Sequence, residues 1–570
     1  MRIKYQPEVV WHWYNLAETL VAMGRYLDAL HPAQEATRVD PQNSPAWGKL
    51  GQVFRYMKRY EEALNAYNKA VELDAGFDWA INGRGMVLEN LGRYEDAFTS
   101  YEQATKLNTD RDWHWYNQGN TLYILKRYDQ ALEKLNIALA KNPNFAKAWS
   151  LVGSIQRQLG KHNESLKALN TSIDMDRSQS WTWSELGATC EAMRQYGDAE
   201  EAYRKAYTAD PLNLNYLYKQ AEMLVLADRN QDAYALLEQA VKLNDRSPNI
   251  WAKLGQVLRK LDRLDESLDR YNRALALDPS YTWAWNGKGL TLSMLDQHEQ
   301  ALDCFKQALS SDPHDLWSWY SYGDELLILN RVADGVNALK EAITIDARHV
   351  ESWTKLGQAY RTMGRHAESV DAYQHAVDLR PENGWAWNGL GLALREMGRR
   401  EEAIAAYQKA LECAPSVTWF YVNLMTLQLD TGRKQDALNT IELASKADPQ
   451  NPNVWARRGQ VLRRLDKYDT ALESYDTALA LDARYAWAWN GKGLCLMELN
   501  RTDEALACFQ RAVHYDPNSV WFWYNYGDSL AKTGDFAEAK IALQKALEVD
   551  KNHVLSRERL AHVLRDLGEN

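Results

Sequence analysis

From Val10 onward, apolar, small and polar positions recur along the chain with a period of 34 residues. Numbered from its first position, each unit carries apolar residues at 4, 7 and 11 and a small residue at 8, all on one face of a helix. A second helical pattern follows, with small residues at 20 and 27 and a large apolar or aromatic residue at 24, such as Tyr67, Tyr271 or Tyr475. Position 8 is Gly or Ala in fifteen of sixteen units, the exception being Met425, and position 27 is Ala or Ser in all of them. Small residues let two antiparallel helices approach closely, and the large ones fill the space beside them. Gly or Asp followed by Arg at positions 15 and 16 (Gly24-Arg25, Gly92-Arg93, Asp262-Arg263) marks the turn between the helices. Pro at position 32 in nine units closes the second helix.

The spacing predicts an all-α chain of sixteen helix–turn–helix units over residues 10–553. A nine-residue extension precedes them, and a lone capping helix follows over 554–570. No insertion or deletion interrupts the run. Two local departures carry expectations of their own. Met425 should loosen the helix crossing in the thirteenth unit, and Pro32, inside a second helix, should kink or shorten it. Neither helix of such a unit can bury its apolar face alone, so neighbours must stack into a quasi-one-dimensional array.

This 34-residue pattern resembles the tetratricopeptide repeat family over residues 10–570, nearly the whole chain. The resemblance implies a right-handed superhelical solenoid in which the first helix of each unit lines a concave inner face. It also implies that positions 2, 5, 6, 9, 12 and 13 of that helix form the ligand-facing stripe.

A longer period of 102 residues runs inside the first, so that from Ser44 to His553 the units form five triplets. All 23 tryptophans stand at position 2 or 4. The thirteen at position 4 are expected in the core. The ten at position 2 (Trp11, Trp79, Trp113, Trp181, Trp283, Trp317, Trp385, Trp419, Trp487 and Trp521) lie on the stripe. Arg55, Arg157, Arg259, Arg361 and Arg463 occupy position 12 of the first unit type. Lys49, Lys253, Lys355 and Arg457 stand at position 6 and Gln52, Gln256, Gln358 and Gln460 at position 9 of the same type. Asn82, Asn286, Asn388 and Asn490 hold position 5 of the second type, and Tyr116, Tyr320 and Tyr524 that of the third. Amides pair with both the donor and the acceptor of a peptide backbone. Aromatic rings give rigid contact area, and guanidinium groups grip carboxylates or phosphates. The set therefore suits an extended peptide, acidic or phosphorylated. A structural use stays open beside this one: the tryptophans packing on the preceding unit, the arginines pairing with acids such as Asp324 or Asp528.

Composition narrows the function classes. With 67 Lys plus Arg against 77 Asp plus Glu, the formal net charge is −10, which lacks the summed positive field that nucleic acid or an anionic membrane needs. The five cysteines show no two-residue spacing of a metal knuckle or redox pair, and they read as free thiols of a reducing compartment. The opening MRIKYQPEVVWHWYN has no signal-peptide core, and no apolar run is long enough for a membrane span. The expected place is the cytoplasm. No phosphate-cradling loop, HExxH pair or Gly-x-Ser-x-Gly elbow occurs, and the repeats leave no room for a catalytic domain. The sequence therefore predicts a non-catalytic, cofactor-free scaffold for proteins or peptides. Its rival is a self-assembling structural component.

Overall fold

The computed structural model describes residues 9–569. Among them are 33 α-helices and no strand. They run as sixteen pairs followed by the single helix Val554–Asp566. In a typical repeat the first helix (helix A) has 13 residues and the second (helix B) has 14, as in Ser44–Tyr56 and Tyr60–Leu73. The chain divides into two compact units, residues 1–279 and 280–570. Within each, helix A of a repeat packs on its own helix B and on the following pair.

Position 15 explains the turn between A and B. It adopts a left-handed conformation in every repeat, with φ from 57° to 86°. Glycine fills it in Gly24, Gly92, Gly160 and five other places, whereas Lys58, Asp262 and Asn330 adopt it as non-glycine residues. Backbone hydrogen bonds then close the end of helix A, as in Lys58 N–H to Arg55 O at 3.0 Å and Arg59 N–H to Phe54 O at 2.9 Å. The arginine at position 16 reaches forward to an acid in the first turn of helix B, as in Arg263–Glu266 at 2.6 Å. Such exposed pairs each add little, but the acids also favour the positive helix end.

The small residues act on a single large ring. A Cβ on Gly51 would stand 3.0 Å from the Tyr67 ring, and one on Gly83 of the next repeat would stand 2.5 Å from it. Tyr67 is thus clasped between position 8 of its own repeat and position 6 of the next. Tyr373 and Tyr475 are held in the same way, by Gly357 with Gly389 and by Gly459 with Gly491.

Two expectations need correcting. Pro32 does not shorten its helix: Tyr26–Val39 keeps 14 residues, with Ala29, Pro32, Ala33 and Ala36 all buried, so packing on neighbours outweighs the lost backbone bond. The position-4 tryptophans are mostly half-buried rather than core, Trp251 being the buried example. Their indole N–H groups donate to the carbonyl six residues back, in the turn between repeats: Trp47 to Pro41, Trp149 to Pro143, Trp353 to Ala347 and Trp455 to Pro449, each at 2.9 Å. Met425 is fully buried, and the thirteenth pair packs less closely than most.

Candidate functional site

The stripe of helix A has a cationic end and an aromatic end. Position 12 lies ten residues beyond position 2, roughly 15 Å along the helix at the standard rise. In the first unit of the molecule the cationic end carries Arg55, Arg157 and Arg259, and in the second Arg361 and Arg463. All five are half-buried, and the Nε of each is buried without a hydrogen-bond partner among the described residues. Four of the guanidinium groups lie near the tyrosine at position 24 of the same repeat: Tyr67, Tyr271, Tyr373 and Tyr475. Burial pushes the Tyr67 and Tyr373 hydroxyls up to about 12, and the adjoining Arg55 and Arg361 pull against that shift. The fifth repeat has Leu169 in place of the tyrosine, and Arg157 instead meets Glu185 at 3.0 Å. Arg361 also pairs with Glu396 at 3.0 Å. Arg55, Arg259 and Arg463 have no carboxylate within ion-pair distance among the described residues.

The cations at position 6 are placed differently. Lys49 is 4% exposed, with the Tyr14 ring 5.2 Å and the Trp79 ring 5.4 Å from its Nζ. Glu18 stands at 3.5 Å, and Nζ donates to Gln52 at 2.8 Å. Lys253 meets Tyr218 at 5.1 Å and Glu222 at 3.1 Å. Burial draws both ammonium groups below the usual lysine range, against the pull of Glu18 and Glu222. Lys355 pairs with Asp324 at 2.5 Å, and Arg457 lies over Trp487 at 4.6 Å and donates to Gln460 at 3.2 Å. Even the lone last helix follows the rule, its Arg559 meeting Asp528 at 2.7 Å. Acids at position 9 of one repeat, where present, therefore hold the position-6 cation of the next rather than the arginine row, and Arg457, which follows Thr426, lies on Trp487 instead. The sequence offered one signal for this, the spacing shared by Glu18, Glu222, Asp324 and Asp528.

The amides are also used between repeats. Asn82, Asn388 and Asn490 are buried and accept from Asn117, Asn423 and Asn525 of the following helix A, at 3.0, 2.8 and 2.9 Å. Asn286 is buried, but the corresponding neighbour is Ser321 and its Oδ1 has no hydrogen-bond partner among the described residues. Gln256 Oε1 is likewise buried and unpartnered, while Gln358 is exposed.

The aromatic end varies from repeat to repeat. Trp79, Trp113 and Trp283 are half-buried, and Tyr116 leans on Phe145 with centroids 4.9 Å apart. In the second unit Trp317 is 54% exposed, Trp385 60%, Trp419 56% and Trp521 53%. Here three predicted residues from three successive first helices, Leu316–Ile328, Val350–Thr362 and Gly384–Glu396, come together. Tyr320, Lys355 and Trp385 line one open cavity of about 470 Å³, with Glu351, Arg380 and Glu382 at its edge. Arg380 holds Glu351 at 2.7 Å. His349, which position-by-position reading passed over, stands beside it. Its ring meets Trp317 edge-on at 5.0 Å and Tyr320 at 5.3 Å, and its Nδ1 accepts from the Ser352 N–H that begins the next helix. Trp521, Tyr524, His553 and Ser556 repeat this arrangement in the last repeat.

No helix among the described residues is long and apolar enough to cross a membrane. No curated protein sequence matches the chain. Family models of the tetratricopeptide repeat match residues 44–77, 80–111, 115–145, 146–179, 246–314, 348–416, 394–461, 456–519 and 490–553. A model described as anaphase-promoting complex, cyclosome, subunit 3 matches residues 192–274. Among solved structures, the chain is similar to one in the APC/C hetero-tetramer Cut9–Hcn1, at 14% identity and a TM-score of 0.47, covering 91% of this chain and 96% of that one. It is also similar to a chain of Naa15/Naa10 bound to HypK-THB, at 13% identity and a TM-score of 0.40, covering 98% and 96%. A shorter likeness is to MamA, at 25% identity and a TM-score of 0.27, covering 29% and 91%. The repeat matches span most of the chain and fall on its helix pairs, and the protein belongs to the tetratricopeptide repeat family.

Proposed function

We propose that this protein is a non-catalytic scaffold that holds protein or extended-peptide partners along the first-helix faces of its repeats. The observation that carries the reading is the state of the arginine row. Arg55, Arg259 and Arg463 keep half-buried guanidinium groups, braced by a tyrosine and unmatched by any carboxylate among the described residues. A half-buried guanidinium group with no acid of its own suits an acidic or phosphorylated segment, which supplies charge-assisted hydrogen bonds. Each contact is worth little alone, so affinity comes from several acting together.

Anisotropy titrations of the full chain with a labelled acidic peptide, unphosphorylated and phosphorylated, test this. Replacing one of the three arginines by Ala should weaken binding modestly. Replacing all three should weaken it at least tenfold and flatten its salt dependence. Equal binding by the triple variant, with helicity unchanged, would assign these arginines to packing.

A self-assembly reading has one observation of its own. Trp11, Met23 and Leu27 of the first helix pair are exposed. Light scattering over a concentration series decides it: a constant monomer mass removes this reading.

A further inference from the structure

Beyond the arginine row, the second unit carries an aromatic surface whose chemistry calls for a different ligand. Trp317, Trp385, Trp419 and Trp521 are each more than half exposed at position 2 of their first helices. The indoles at position 4 spend their N–H groups on turn carbonyls, as Trp319 does on Pro313 and Trp387 on Pro381. The four exposed indoles donate to nothing among the described residues. An indole N–H can only donate, so these four side chains offer rings and unused donors.

Two ring pairs stand edge to face, each ring in contact with its partner. Trp317 and Tyr320 stand with centroids 6.2 Å apart at 89°, and Trp521 and Tyr524 at 6.1 Å and 89°. Beside the first pair lies the cavity shared by Tyr320 and Trp385. Its cations are already matched, Lys355 by Asp324 and Arg380 by Glu351, and Glu382 adds a further negative charge at the edge. An acidic side chain would be repelled there, and the exposed rings offer flat apolar contact area. Burial, with Asp324 and Glu351 adding to it, pushes the Tyr320 hydroxyl up to about 12, so it remains a donor at neutral pH.

We propose that Trp317, Tyr320 and Trp385, continued by Trp419 and by the Trp521–Tyr524 pair, bind a proline-rich segment in the polyproline II conformation. Proline supplies the flat apolar ring, and its carbonyl is an acceptor with no N–H beside it, which matches a surface of rings and donors. The spacing agrees as well. Packed helices stand about 8–10 Å apart, and a three-residue polyproline II turn rises about 9 Å, so the segment advances about one repeat per turn: Trp385 and Trp419 stand one repeat apart, Trp317 two repeats before Trp385, and Trp521 three after Trp419. The inference deepens the peptide-binding reading and rests on it, but it uses residues other than the arginine row.

The test uses the full chain and three labelled ten-residue peptides in anisotropy titrations: oligoproline, a Gly-Ser sequence and oligoglutamate. The expected result is oligoproline binding that is insensitive to salt and at least tenfold tighter than that of Gly-Ser. Trp317→Ala with Trp385→Ala should weaken it about tenfold or more, while Gln408→Ala, exposed on a second helix, leaves it unchanged. Oligoproline binding no tighter than Gly-Ser overturns the proposal whether or not the variants fold. So does equal oligoproline binding by the double tryptophan variant with wild-type far-ultraviolet circular dichroism. If oligoproline fails while oligoglutamate binds through the arginines, the proline ladder falls and the peptide-binding face stands. If no peptide binds, both fall.

Discussion

At the scale of single residues, glycine is used where a ring needs room. A Cβ on Gly389 would lie 2.3 Å from the Tyr373 ring, whose other face is closed by Gly357, so neither ring nor backbone has space to yield. Gly389→Ala should therefore cost about 1–3 kcal/mol through overpacking. Gly197→Ala, in helix B of the sixth repeat with nothing within 4 Å of the new methyl, should be neutral or slightly stabilising. Urea denaturation of both variants checks the contrast, and equal stability would show that the ring clasp is not what fixes these positions. The glycine at position 8 was legible from its recurrence in nearly every repeat. The one at position 6 was not, because it recurs only in the second repeat type, and its reason lies across a repeat boundary, in a tyrosine 16 residues earlier.

At the scale of the element, helix starts carry a pH dependence that sequence pattern did not suggest. Helix Val350–Thr362 begins on His349, whose Nδ1 accepts from Ser352 N–H and Oγ and so must be unprotonated. Burial draws His349 below its ordinary 6.5, opposed by Glu351 and Asp346, with Arg380 acting in the same direction as burial. A folded value below the unfolded one means that the unfolded chain takes up protons first as pH falls. The cap's contribution is therefore present above about 6.5 and lost as pH drops from there through the lower folded value. Amide exchange in the first turn of this helix, corrected for intrinsic rates, should rise between pH 7 and 5 in the native chain. His349→Asn keeps a capping acceptor without a titrating ring and should abolish the rise. The same rise in both proteins would place the sensitivity elsewhere. Periodicity told which face of a helix each residue occupies, but not how far its neighbours reach. That is why the position-6 cations, read as ligand contacts, are found enclosed by Tyr14, Trp79 and Glu18 in one repeat and beside an open cavity in another.

At the scale of the whole molecule, the helical-repeat fold was the most legible property, since sixteen uninterrupted returns of one small-residue frame leave few other ways to bury the apolar faces. The proposed ligand face was legible only as a stripe. Its division into a tyrosine-braced cationic end and an aromatic end depends on contacts between successive repeats, and those depend on the repeat type next in line. In both units the second helices present mostly charged and polar side chains outward, held in short-range pairs such as Arg399–Glu402 and Lys409–Glu412 at 2.6 Å. The first helices instead leave exposed indoles and unmatched guanidinium groups. The central claim is therefore that partners meet the first helices. It is tested most directly by a photo-reactive amino acid placed either at Trp419 or Trp385 on first helices, or at Gln374 or Gln408 on second helices, of the full chain. After irradiation with its copurifying partners, adducts should form from the first-helix positions, and the Arg55, Arg259 and Arg463 triple replacement should reduce them. Adducts formed only from the second-helix positions would contradict the account.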